Sequence, residues 1–507
     1  MRSDLGSGAG AMARGAGVNL LGMGATTVVG FVFAFAVTHV ISAHDFGLYS
    51  LATSVLALAF LPGLLGLDTG VIRFVALGAG AKDERRARGA LQLATVLVVF
   101  TSGAVTVLLW KYASWIAGSV FDKPDATDVL KIVALSLPGI AVGRVIVSSI
   151  RGFGVMTSAA WLGTIQRIFD LTAALPVLAL GLGVNALAWA SVVSAYASIP
   201  VAIALLLRVD PRALRPAADM WPLRRMVTFS VPQTFTVIFF LGVARLDILM
   251  LGRFGTASEV GIYAIALAVV LPATLVSTSI GQMFSPRVAA EHAHGDRRTL
   301  EEMLRRVTYW NTAASLPFFA AIAILAEPIL GLFGPVYTAG ATALVILAAG
   351  RLFHTAAGPL GVLINMSGRP YITMLNNMSV TMLNIGLGWA LIPRYGMTGA
   401  ALSATISLVV LNLVNLVEVR VIFGIFPFRR DSVGMFASAA FAIAVAVPIA
   451  FVPAWPIPLL QVIVAGAALF GAYGLAMKGF GLTGEDRALL SHGRARLTRR
   501  RVNFGRP

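Results

Sequence analysis

Ten charged side chains stand where this chain is otherwise apolar. Arg144, Arg167, Asp170, Arg245, Asp247, Arg351 and Glu418 fall inside long hydrophobic runs, and Asp68, Arg73 and Arg420 lie near the ends of such runs. A charge at that depth is costly and normally faces a cavity or a partner. Arginines outnumber acids in the group, and none of its cations is a lysine. A guanidinium stays charged at any working pH and its fork meets phosphate oxygens two at a time. The surplus of Arg144, Arg167, Arg245 and Arg351 therefore suits an anionic, phosphate-bearing ligand. The acids Asp68, Asp170, Asp247 and Glu418, with His354, suit coupling to a cation or structural pairing.

Spacing refines this. Arg167 and Asp170, three apart, share a helix face and either pair or line a cavity together. Arg245 and Asp247, two apart, point in different directions, so each needs another partner. His354 lies one turn beyond Arg351, whereas Arg351 and Arg144 have no acid nearby in sequence. Arg73 and Arg287 sit at helix ends where the excess of basic residues in cytoplasmic loops accounts for them. Their matched placement would also suit a headgroup portal.

The elements that hold these residues are membrane helices. The 507 residues are 58% hydrophobic and 12% charged, with mean hydropathy +0.86, far more apolar than a soluble domain at about a quarter charged. About 20 apolar residues cross the hydrocarbon core. Fourteen segments qualify, near 18–41, 48–67, 91–110, 129–150, 159–180, 186–207, 227–251, 260–284, 308–332, 341–365, 371–392, 400–422, 433–452 and 457–477. With the N-terminus inside, 28 of the 39 Lys and Arg fall on the cytoplasmic side and 5 on the other. That bias predicts both termini inside, in a bacterial inner membrane. The +17 charge is then topology, with the basic tail touching anionic headgroups, and nucleic acid is a poor partner.

There are no cysteines, which excludes thiolate sites and disulfides. No Walker loop, serine-hydrolase elbow or HExxH motif is present, so neither cofactor, metal nor enzyme is expected. The two histidines in Ser285–Arg306, two apart, do not share a face as metal ligands would. That alternating stretch reads as an amphipathic cytoplasmic helix.

"DFGLYSLA" (45–52) returns as "EVGIYAIA" (259–266), 214 residues later. Arg73 and Arg287 keep the same offset, as do Gly154 and Gly368, and "GVNALA" from Gly183 matches "GMTGAA" from Gly396 at 213. Near-constant offsets mark a duplicated unit of six helices, and an even number makes it a parallel repeat. Within each phrase the acid is expected to cap a helix, the glycine to turn the backbone, and the tyrosine to sit at the headgroups.

With "FGLYS…LGLDTGVIRF" and "RLDILMLGRFGTASEVGIYAIA", the chain from about Met12 to Lys478 resembles the polysaccharide-repeat-unit flippases. Their superfamily includes multidrug and toxin extrusion (MATE) exporters and lipid II flippases. The resemblance implies an all-α membrane fold of about fourteen helices. Two pseudo-symmetric six-helix lobes (12–208 and 227–424) are joined by a linker (209–226), with appended helices (433–477) and a basic tail (478–507). It implies an alternating-access flippase for polyprenyl-pyrophosphate-linked oligosaccharides, feeding exopolysaccharide or O-antigen assembly with a polymerase and chain-length machinery. A lipid II flippase or an ion-coupled multidrug exporter is the alternative. The surplus of arginine argues against the exporter, whose cationic drugs call for acids.

Overall fold

The computed structural model describes residues 21–481 apart from 82, 218–220, 295, 430–431, 453–454 and 456. The basic tail from 482 onward and the first twenty residues lie outside these. The described residues form helices and short turns throughout, with no strand among them. Eleven stretches are long and apolar enough to cross a membrane, and we name the helices in chain order. The first half comprises α1 (Leu21–Thr38), α2 (Ala43–Leu64), α3 (Leu67–Gly80), α4 (Glu84–Trp115), α5 (Ala126–Ala134), α6 (Ser136–Gly152), α7 (Met156–Ala179) and α8 (Val184–Val209). The second half comprises α9 (Leu223–Phe254), α10 (Ala257–Val270), α11 (Leu275–His294), α12 (Arg297–Ile324), α13 (Ala326–Gly331), α14 (Ala341–Ala357), α15 (Leu360–Met366) and α16 (Pro370–Phe423). Helices α17 (Val433–Ala450) and α18 (Pro458–Ala476) follow and pack on α12 through Tyr309, Leu316, Ala439 and Leu469.

The 54-residue α16 is two helices joined across Gly396, whose backbone is non-helical (φ 53°). Other helices break inside the apolar region. Between α2 and α3, Leu65 and Gly66 take positive φ. A 3-10 turn carrying Pro272 separates α10 from α11, and Gly358–Pro359 separates α14 from α15. The stretch 285–306 is not a separate amphipathic helix. It is the end of α11 and the start of α12, where the Asp296 side chain accepts the Thr299 N–H and caps the new helix.

The duplicated phrases form equivalent structures. Ser42 caps α2 by accepting the Asp45 N–H (3.1 Å). Thr256, 214 residues on, caps α10 in a full capping box with Glu259. Asp45 and Glu259 are therefore helix-start residues, as their position predicts. Gly154 and Gly368 both take positive φ, 85° and 79°. The glycine and tyrosine expectations need correction. Gly47 and Gly261 lie inside helices and make no turn. The tyrosines point inward: the Tyr49 hydroxyl meets Ser191 (2.7 Å), and Tyr263, fully buried, donates to Asp247 (2.8 Å).

Packing differs between the two ends of the bundle. Toward the face opposite the basic loops, one core joins both halves and includes Val37, Leu51, Val177, Leu251, Tyr263 and Leu347. Toward the basic face each half has its own core, around Val71, Ala94 and Ile150 in the first and around Val288, Leu304 and Leu363 in the second. The halves are closed on one side and distinct on the other.

Candidate functional site

On the basic-face side, a cavity of about 430 Å³ opens against α6. Ile140, Gly143, Arg144, Val147 and Arg151 line it from α6, with Met23, Thr26 and Thr27 of α1, Gln166 of α7, Ser198 of α8 and Leu275 of α11. Steps of three, four and seven place the α6 residues on one helical face, so Arg144 and Arg151 stand about 10 Å apart along the axis. Arg144 has an acid after all: Asp68, in the first turn of α3, lies 3.6 Å from Nε. That pair is half exposed on the arginine side and leaves the rest of the guanidinium fork for a ligand. No carboxylate reaches Arg151 within ion-pair distance among the described residues. Its place in the last turn of α6 assigned it to a loop by sequence; the seven-residue spacing from Arg144 was the signal that it faces the cavity.

Deeper in the first half, Asp170 accepts from Ser194 and from Gln166 (3.2 Å), and Arg167 meets its other oxygen at 3.4 Å. The pairing expected from spacing is present, while half of the Arg167 side chain stays exposed. Arg245 of α9 carries its charge into the same neighbourhood. Asp247, two residues on, turns away and is buried at 4% exposure. The Tyr263 hydroxyl and the Ile248 N–H (2.9 Å) satisfy it, with the charges of Arg351 and Arg245 nearby.

In the second half, His354 does not join Arg351 at a common partner; its Nδ1 lies 3.1 Å from the Asn412 amide oxygen. Glu418 accepts from Asn376 (2.6 Å), which also bonds Asn415 (3.0 Å). These neutral amides give Glu418 a structural role. Arg420 donates to the Gly424 carbonyl that ends α16. Arg73 lies over the Phe229 ring at 4.3 Å, beside Phe74, Trp221 and Arg225. It therefore sits at the seam of α3 and α9 rather than in the cavity. The side chain of Arg287 lies outside the described residues.

The opposite face is shut by close helix contact. Gly47 of α2 meets the Ala257 carbonyl of α10 so tightly that a Cβ there would collide, and Gly261 meets the Ala43 carbonyl in the same way. The two contacts exchange under the 214-residue offset. Lys123, in the loop before α5, then donates across the seam to the carbonyls of Gly252 (2.6 Å) and Gly255 (2.8 Å) at the end of α9. Burial pushes its ammonium below the usual lysine range, partly offset by Asp122 and Glu259.

Residues 36–339 match the family model described as polysaccharide biosynthesis protein. The chain is 22% identical over 373 residues to the probable low-salt glycan biosynthesis flippase Agl15 of Haloferax volcanii, covering 73% of this chain and 75% of that protein. Among solved structures it superposes on the lipid II flippase MurJ in an inward closed conformation. That match has TM-score 0.70 and 12% identity, over 90% of this chain and 98% of the other. An inward-facing MATE-family multidrug resistance transporter matches with TM-score 0.67 and 15% identity, over 79% and 94%. The fold is shared with these transporters.

Proposed function

This chain belongs to the polysaccharide biosynthesis protein family, and from that premise we propose that it is a flippase for polyprenyl-pyrophosphate-linked oligosaccharide units. It is a multi-pass membrane protein of MurJ- and MATE-like fold, and we read it as a transporter rather than an enzyme. In this reading fourteen helices form two six-helix lobes and two appended helices, with both termini and the basic face cytoplasmic in an inner membrane. α16 supplies two crossings about Gly396, and α2–α3, α5–α6, α10–α11 and α14–α15 supply one bent crossing each.

The observation that carries the proposal is the cationic cavity face of α6. Arg151 has no acid and Arg144 only a single long contact to Asp68, so together they offer fixed positive charge to a pyrophosphate entering from the cytoplasmic side. Arg167 and Arg245, further in, would take the head next, while Arg351 lies beyond them. The polyprenyl chain stays in lipid. Gly47–Ala257 and Gly261–Ala43 close the outer end until the lobes rock, when the same head faces outward. Polymerase and chain-length proteins would consume the delivered units.

Native mass spectrometry of the protein extracted from its own membranes tests this. A co-purifying glycan lipid with a pyrophosphate mass, lost in Arg144→Ala/Arg151→Ala and partly restored by lysines, is the expected result. A peptide-bearing lipid would assign a lipid II flippase instead. Organic cations bound in place of any glycan lipid would assign the exporter.

A further inference from the structure

Helix α14 stops at Ala357 and α15 begins at Leu360, well inside the second lobe. Gly358 takes φ 85°, and Pro359 has no N–H to give, so the last carbonyls of α14 lose their helical donors. Two residues of α12 close on this break. The Thr308 hydroxyl lies so near Gly358 that a Cβ there would collide with it. Asn311 Nδ2 donates to the Thr355 carbonyl and to Ser277 Oγ of α11, each at 3.0 Å. That leaves Asn311 Oδ1, Thr308 Oγ1 and Thr355 Oγ1 without a hydrogen-bond partner. These residues are buried, at 2%, 3% and 0% exposure. Buried polar atoms nearly always have partners, and an orphan asks for an explanation. Here three orphaned oxygens from two helices gather at the C-terminal, negative end of a half-helix.

We propose that this break is a binding site for a monovalent cation, sodium in the cell. Thr308, Asn311 and Thr355 would supply side-chain oxygens and the last turn of α14 its free carbonyls. Unwound backbone and half-helix C-termini serve cations in this way in other transporter folds. The donor set is neutral, whereas calcium sites recruit carboxylates, so a divalent ion is disfavoured. None of the three side chains titrates, which sets the site apart from a proton carrier. Arg351, one turn earlier, has its charge bearing on Asp247.

The duplication gives the site its meaning. The residue 214 positions before Gly358 is Arg144, on an α6 that runs unbroken. One place in the repeat thus carries a fixed cation in the first lobe and a broken helix in the second. Ser277, bonded to Asn311, stands in the first turn of α11, two residues beyond the cavity-lining Leu275. Occupancy would hold that turn just past the Pro272 break. The use of the ion to drive transport rests on the flippase reading; its binding does not.

Binding of ²²Na⁺ to the purified full-length chain tests the site, with thermal unfolding in sodium chloride against choline chloride at equal ionic strength. We expect saturable sodium binding and a higher Tm in sodium. Thr308→Val and Thr355→Val should weaken binding by about tenfold or more, the scale seen when a metal site loses a supporting group. Asn311→Asp, which adds a charge to the donor set, should tighten it. If the valine variants fail to fold, Asn311→Asp decides: unchanged affinity overturns the site. So does wild-type protein that does not distinguish sodium from choline, or binding abolished by Asp247→Asn but kept in Thr355→Val. Sodium binding without any co-purifying glycan lipid would leave the cation site standing and remove the flippase reading.

Discussion

Replacing Gly47 by alanine should open the outer face of this protein. The added Cβ would occupy the position of the Ala257 carbonyl oxygen, and Gly261→Ala would do the same at Ala43. Both obstacles are backbone atoms, which no side-chain rotation relieves. Overpacking of this kind costs about 1–3 kcal/mol where the structure is held together. The cost falls only on the closed arrangement, because parting α2 and α10 removes the collision. The roughly 1 kcal/mol by which alanine improves a helix interior applies in both arrangements and cancels. One substitution should therefore shift the closed-to-open ratio about 5–150-fold. The pair together reaches the ~5.5 kcal/mol that inverts a 99:1 equilibrium. The chain has no cysteines, so spin labels go directly onto Asp125→Cys and Val336→Cys, both exposed at the opposite face in different halves. Pulsed EPR should show a longer distance in Gly47→Ala, longer still in the double variant. Gly103→Ala, whose Cβ would meet open space, should match wild type. Unchanged distances in a folded Gly47→Ala/Gly261→Ala protein would refute the claim that these contacts close the face.

Other expectations follow from named contacts. Lys123→Met removes the donor to the Gly252 and Gly255 carbonyls; leaving a buried acceptor unsatisfied costs about 1–3 kcal/mol, and the same EPR pair should lengthen. Tyr263→Phe takes one donor from the buried Asp247 and should cost a similar ~1–3 kcal/mol, read as a lower Tm that Asp247→Asn partly restores. Gln92 holds the inter-lobe linker from both sides, donating to the Arg215 carbonyl (2.7 Å) and accepting the Ala217 N–H (3.0 Å). Gln92→Leu should accelerate tryptic cleavage at Arg212 and Arg215, with cleavage at wild-type rate counting against a strapped linker.

Hydropathy, the uneven spread of Lys and Arg, and the 214-residue echo are properties of the chain itself. They made an all-helical membrane protein and a duplicated unit legible, because lipid judges each segment by its own length and polarity. The Arg167–Asp170 pair was legible for the same reason: three residues on one helix fix its geometry. What neighbouring helices bring was not. Arg144 finds Asp68 across 76 residues, Asp247 finds its donor on α10, and Arg151 faces a cavity because α1, α7 and α11 leave space beside it. Gly47 and Gly261 show the division most plainly. In one dimension each is a small residue near a helix start; only when α2 lies against α10 does the absence of a side chain become what lets two backbones touch. Helix formation is settled within a segment, but the meeting of charges and the closing of a face are settled by packing, whose partners lie hundreds of residues apart.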